Sequence, residues 1–236
     1  MKTMRDNWLT SIFGYDVYGL RYSENAVWDD FDMPSTKAFL YAKVPTRRVD
    51  LVRHLSLKDF AVVDVNVTFE VLPSPRCNVI GRGIEIREIA PEHESAILDI
   101  AESCFVYSRF HLDSNISNDL ANKVKRMWVH NYVTRNRGER LLVVLKGSSP
   151  SGFLAELASQ DGQRAIRVID LIGVAKQHQG KGLGRSLVNY LINDCVDKVD
   201  AIQAGTQVAN IPSMRLYEHC GFRIVRSAYV MHAHIE

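Results

Sequence analysis

The hydrophobic period of the chain changes several times, and each change predicts an element. Residues 12–22 alternate as a strand does, whereas residues 36–57 read as helical stretches interrupted by Pro45. Residues 60–71 alternate again and predict a second strand. Residues 72–83, LPSPRCNVIGRG, then concentrate Pro, Gly, Ser and Arg and read as a linker. The chain is thus expected to divide into a small N-terminal α/β unit over residues 1–80 and a larger domain over residues 81–236.

Beyond the linker, residues 84–89 predict a strand, and residues 91–105 a helix with Ile97, Leu98, Ala101 and Phe105 on one side. A further helix runs over residues 118–132, where Leu120, Val124, Met127 and Trp128 keep the 3.6 period. The period then shortens, and residues 140–146, 152–158 and 165–174 predict three successive strands. The clearest helix covers residues 184–196, with Leu187, Val188, Leu191, Ile192 and Cys195 together, followed by a strand over 201–207. Asn210 can cap a short helix with Pro212 in its first turn and Gly221 just past its end. Two strands, 222–226 and 228–235, finish an order of β-α-α-β-β-β-α-β-α-β-β.

Composition narrows the function classes. With 46% hydrophobic and 24% charged residues the chain should fold throughout. Its 29 basic and 27 acidic residues are scattered, giving a net +2 and no extended basic field, so nucleic acid is not an expected partner. The first eighteen residues lack an apolar run long enough for a signal peptide or span; a cytoplasmic location without a membrane partner is expected. Cys77, Cys104, Cys195 and Cys220 lie far apart and are expected to be free thiols. His232 and His234 could share one face of a strand, but no ligand stands at helical spacing from them, so no metal is expected.

The chemistry concentrates in one loop. Gln177-His-Gln179-Gly180-Lys181-Gly182-Leu183-Gly184 joins a predicted strand to a predicted helix. Glycines at alternate positions let backbone N–H groups converge and a ligand approach, while the helix N-terminus adds partial positive charge: a pyrophosphate cradle. A Walker loop needs Gly-x-x-x-x-Gly-Lys-Ser/Thr, which is absent, and the dinucleotide fingerprint needs a different glycine spacing in the first βα turn.

Val174 followed by Gln177-x-x-Gly180-x-Gly182 resembles the acetyl-CoA motif of the GNAT superfamily of N-acetyltransferases. Asn210-Ile-Pro-Ser-Met-Arg-Leu-Tyr217-Glu-His-Cys-Gly221-Phe222 resembles that superfamily's last conserved segment, in the right order. The resemblance implies an α/β GNAT fold, a mixed, mostly antiparallel sheet flanked by helices, preceded here by a truncated GNAT-like unit. It implies acetyl-CoA as co-substrate, contacted by Ile172, Val174, Gln179, Gly180, Lys181, Gly182, Leu183, Gly184, Arg185 and Asn210. Phe105-Val-Tyr-Ser108-Arg109-Phe110 leading to Trp128, and Gly205-Thr206-Gln207 running into Ser227-Ala228-Tyr229, resemble the dTDP-fucosamine acetyltransferase family. That likeness implies a small-molecule amine acceptor, a dTDP-amino sugar, with Ser108, Arg109 and Phe110 on the acceptor side and Tyr217 as general acid. A homodimer is the assembly expected.

Direct attack of an amine on a thioester needs an oxyanion donor, a base and an acid. Residues 172–174 can supply the oxyanion N–H from a bulge beside Gly173, and Asp170 and Asp64 are the candidate bases. Arg109 offers a planar fork to a phosphate. A peptide or protein N-terminal acetyltransferase and a non-catalytic acyl-CoA-binding module stay open beside this reading.

Overall fold

The computed structural model describes residues 2–21, 31, 33–76 and 83–236. Part of the expected linker, residues 77–82, and Tyr22 of the first expected strand lie outside them. Ten strands form one sheet: β1 (Lys2–Arg5), β2 (Asp16–Arg21), β3 (Ala38–Pro45), β4 (Ala61–Val71), β5 (Ile84–Glu88), β6 (Arg140–Lys146), β7 (Ser149–Asp161), β8 (Arg164–Val174), β9 (Ala201–Gln207) and β10 (Arg223–Ile235). The helices are α1 (Asn7–Phe13), α2 (Val49–Ser56), α3 (Glu94–Ser103), α4 (Asn118–Val133), α5 (Leu183–Asp194) and α6 (Ile211–His219). None is long and apolar enough to cross a membrane.

Across the sheet the order is β1-β2-β3-β10-β4-β9-β8-β7-β6-β5, with parallel pairs only at β2/β3 and β8/β9. The boundary expected at residue 80 does not divide this sheet. The last strand, β10, pairs with β3 on one side and β4 on the other, and β4 pairs with β9. Strands on both sides of the linker therefore satisfy each other's backbone groups.

Three local readings are corrected. Ile12 and Phe13 end a helix, not a strand: Asp6 accepts the Leu9 N–H at 2.9 Å to start α1, and Gly14, at φ +78°, ends it. Residues 38–45 form a strand where helical stretches were expected. Their period-two pattern was masked because both faces are covered: Leu40, Ala42 and Val44 meet Leu51 and Leu55 of α2, while Phe39 meets α1. The two final strands are one, β10, with irregular register at Ile224/Arg226 and Val230/Met231.

The outer helices cover two faces. On one, α5 and α6 bury Leu187, Val188, Leu191 and Tyr217 against Phe69, Ile169, Ile202 and Ala204. On the other, α3 and α4 bury Ile97, Ala101, Val129 and Tyr132 against Val143, Phe153 and Leu171. Full burial of each such large side chain is worth about 1.5–3 kcal/mol. Helix α4 also shares a cluster with α1 and Phe39, through Ala121 and Val124. The N-terminal strands are thereby fixed against α4.

Candidate active site

The sheet opens at one place. β8 and β9 pair in parallel only from Ile166–Ile169 with Ala201–Ala204. Beyond that, β8 follows β7 as far as Val174, and β9 follows β4 as far as Gln207. The register between β7 and β8 shifts at Ala155/Glu156, which leaves Asp170 as the extra residue of a bulge at the fork. The expected bulge beside Gly173 is therefore three residues early, and Gly173 has another reason to be glycine: a Cβ there would lie 2.7 Å from Cys104 Sγ and from the Phe153 ring.

A cleft of about 940 Å³ occupies the opening. At one end the chain leaves Val174, makes a single 3₁₀ turn over Lys176–His178, and enters α5 through Gly180 and Gly182, at φ +73° and +82°. Gly182 is the N-cap of α5 and offers no side-chain acceptor, so the first N–H groups of the helix remain free at the cleft. A Cβ on Gly180 or Gly182 would point into open space. Free amides, a helix N-terminus and glycine backbones fit a pyrophosphate.

Of the expected donor-side residues, Ile172, Val174, Gln179, Gly180, Gly182, Leu183, Gly184, Arg185 and Asn210 line the cleft. Lys181 does not: its ammonium turns back to the Gln177 carbonyl at 2.7 Å. Gln179 donates to the Val174 carbonyl at 3.0 Å, which braces the turn. Gly184 has a packing role, since a Cβ there would sit 3.4 Å from Leu216 of α6. The Asn210 carbonyl caps α6 by accepting the Ser213 N–H at 3.2 Å.

Tyr217 is 2% exposed, packed against Phe69 and Phe222 with ring centroids at 5.6 and 5.4 Å, yet it belongs to the cleft lining. No protein group among the described residues bonds its hydroxyl. Burial raises its pKa above the ordinary tyrosine value, so the phenol stays protonated and can only give a proton. Cys104 also lines the cleft, but burial pushes its thiol up to about 12, which excludes it as a thiolate nucleophile at neutral pH.

The two expected bases stand differently in the structure. The Asp170 carboxylate accepts from Trp128 Nε1 at 2.8 Å, the Tyr132 hydroxyl at 2.7 Å and Arg137 at 2.7 and 3.1 Å. Burial opposes its ionisation, but those donors outweigh it and hold the pKa below the ordinary value, so Asp170 is a clamp on α4 and a poor proton acceptor. Asp64 lies two residues before Asn66, the β4 residue that lines the cleft, and is itself outside the lining.

The opposite end is cationic. Lys43 of β3, Arg109 of the α3–α4 connection and Lys125 of α4 line it, and Asp170 is the sole carboxylate lining the cleft among the described residues. The Arg109 guanidinium lies 4.0 Å from the Tyr41 ring centroid and 4.5 Å from that of Phe110. Phe110, expected to meet substrate, lines the cleft, packs in a cluster with Phe13 and Phe39 and carries Arg109 on its ring. Ser108 lines the cleft, but its hydroxyl pairs with His111 Nδ1 at 2.6 Å, while His111 Nε2 pairs with Asn122 at 2.9 Å.

Sequence reasoning missed Lys43 and Lys125. Lys43 follows Phe39 and Tyr41 at alternate positions of β3, a signal hidden while that segment was read as helical; Lys125 stands one helical turn before Trp128. It also missed Asp113, whose Oδ2 accepts from His232 Nδ1 at 2.6 Å and His234 Nε2 at 2.8 Å. Burial opposes the charge on Asp113, but the two imidazoles win and hold it well below the carboxylate range. This ties the connection that carries Arg109 to β10.

Residues 95–222 match the acetyltransferase (GNAT) family. The chain is 30% identical over 143 residues to the spore coat polysaccharide biosynthesis protein SpsD of Bacillus subtilis (strain 168), a match that covers 60% of this chain and 48% of that one. It thus spans about half the length of this curated relative. Among solved structures, a GCN5-related N-acetyltransferase from Sphaerobacter thermophilus superposes with a TM-score of 0.61 at 13% identity, covering 84% of this chain and 60% of that one. A tandem GNAT protein from the clavulanic acid biosynthesis pathway gives a TM-score of 0.56 at 12% identity over 83% and 64% of the two chains. At such identities these two show the fold, which is the α/β GNAT fold expected from the sequence.

Proposed function

Because the chain belongs to the acetyltransferase (GNAT) family, whose members use acetyl-CoA as co-substrate, we propose that it acetylates the amino group of a nucleotide-linked amino-dideoxy sugar, a dTDP-amino sugar. The observation that carries this reading is the joining of two unlike ends in one cleft: an uncapped glycine turn suited to a pyrophosphate, and a cationic end walled by β3 and the α3–α4 connection. The likeness to a polysaccharide biosynthesis protein supports a sugar acceptor.

In this reading the glycine turn and the N-terminus of α5 hold the donor, whose thioester supplies the acyl group. The amine adds to the thioester carbonyl to give a tetrahedral oxyanion, which collapses as the C–S bond breaks; the proton that nitrogen loses passes to water in the cleft, and another must reach the departing sulfur. Tyr217, protonated and without a protein partner, gives the proton to sulfur. The backbone of β8 beyond the bulge, no longer paired with β9, offers N–H groups to the oxyanion. Arg109, which lines the cleft, faces the acceptor's phosphates.

Incubation with acetyl-CoA and a panel of dTDP- and UDP-amino sugars and peptides, read by mass spectrometry, tests the acceptor class. Nucleotide amino sugars should be acetylated with the highest kcat/KM. A peptide exceeding all of them would promote the peptide acetyltransferase reading; CoA binding without any acetylation would leave a binding module.

A further inference from the structure

No carboxylate among the described residues makes an ion pair with the three cations at the acceptor end. The Lys125 ammonium, on a residue 8% exposed, lies 4.8 Å from the Phe105 ring centroid and 4.9 Å from that of Trp128. Arg109 stacks on Tyr41, and its buried Nη1 donates to nothing. Lys43 presents an exposed side chain at the cleft, while protein surrounds it at longer range. Both lysines are pushed down to about 8, first by burial and next by the charge of Arg109. The three charges therefore feel one another.

Asp170 offsets part of this repulsion at a distance, but its two oxygens are committed to Trp128, Tyr132 and Arg137 and make no ion pair with the three cations. Two partly buried arginines elsewhere are paired by carboxylates: Arg140 meets Glu156 and Asp194, and Arg164 meets Glu70. A structural role for Lys43, Arg109 and Lys125 would call for the same treatment. Like charges gathered in poorly hydrated surroundings are costly unless a ligand brings the opposite charge. Aromatic faces offset part of that cost and leave the N–H groups free to donate.

We propose that Lys43, Arg109 and Lys125 form a single anion seat for a phosphate or carboxylate group of the acceptor, separate from the glycine turn on the donor side. The seat rests on the acetyltransferase reading in one respect, that the anion belongs to the acceptor; it does not depend on the sugar. Arg109 can engage two oxygens with its planar fork, and the lysines act as point charges on either side.

Isothermal titration calorimetry on the full chain saturated with CoA, which occupies the donor end, tests the seat with inorganic pyrophosphate, dTDP and succinate. Binding of pyrophosphate or dTDP identifies a phosphate source, and binding of succinate alone a carboxylate source. Lys43→Gln and Lys125→Met should each weaken the bound anion by about tenfold or more, the range for a charged hydrogen bond, with CoA affinity unchanged. Lys43→Arg should stay within about threefold of wild type, since it keeps the charge. If Lys125→Met does not fold, the two Lys43 variants decide. Failure of every anion to bind the CoA-loaded chain, or equal binding by wild type and Lys43→Gln, would overturn the seat. Acetylation assays keep the two ideas apart. A nucleotide sugar acetylated with unchanged KM by Lys43→Gln removes the seat and leaves the function, whereas tight anion binding by a chain that acetylates no nucleotide sugar keeps the seat and removes that acceptor.

Discussion

The two ends of the cleft are built by opposite means. The donor end is backbone: a turn of consecutive residues whose amides stay free because Gly180 and Gly182 adopt positive φ and the N-cap of α5 has no side chain. The acceptor end is side chain: Lys43, Arg109 and Lys125 arrive from three segments, Arg109 against Tyr41 and Phe110 and Lys125 against Phe105 and Trp128. Backbone recognition tolerates any sequence that keeps the turn, whereas side-chain recognition fixes chemistry. In the proposed reading the donor end thus suits a cofactor shared across a family, and the acceptor end is where an individual substrate would be chosen.

The comparison is broken most sharply where the ends meet. Tyr217→Phe keeps the packing against Phe69 and Phe222 and removes only the unpartnered hydroxyl. Steady-state kinetics should show kcat lower by about a hundredfold, the loss of a positioned acid, with both KM values little changed. A near-normal kcat would make Tyr217 a core residue of neither end.

A smaller effect is expected at the donor end alone. Gly182→Val asks a branched residue to adopt φ +82° and places its side chain in the open space of the cradle. The backbone cost of about 1–2 kcal/mol predicts CoA binding weaker by about tenfold or more, and unchanged binding of dTDP to the soluble variant. Loss of both affinities together would mean that the ends are not independent.

The smallest effect separates the ends by pH. Lys43 and Lys125, pushed down to about 8, are faced by Arg109, Asp170 and Cys104 and, through Arg109, by Tyr41 and Asp6. Their charge is complete below that value and is lost as pH rises through it, so anion binding weakens upward. From pH 7 to 9 the Kd of dTDP for the CoA-loaded chain should rise several-fold, on the order of threefold to tenfold, while CoA binding to the backbone cradle stays nearly flat. A flat dTDP curve would deny the lysines a part.

Much of this architecture was legible in the residue pattern, and the failures have physical causes. α6 matched its expected segment because Asn210, Pro212 and Gly221 mark its ends. β3 was misread because α1 and α2 cover both of its faces, which erases the alternation. Ile12 and Phe13 were placed in a strand because the signal that ends α1 at Gly14 is a single residue.

The site divides in the same way. By itself the sequence determined the glycine turn, the helix behind it and Tyr217, since backbone conformation and helical spacing are set by neighbours in the chain. Tertiary structure decided that Asp170 is a clamp, because its partners stand 33 to 42 residues away. It also decided that β10 lies between β3 and β4 and that Asp113 holds His232 and His234 at 119 and 121 residues' separation. The cationic end exists only once those long-range pairings are made. Whether a charge is partnered depends on desolvation and on what the fold brings within a few ångströms, and neither is a property of the local sequence.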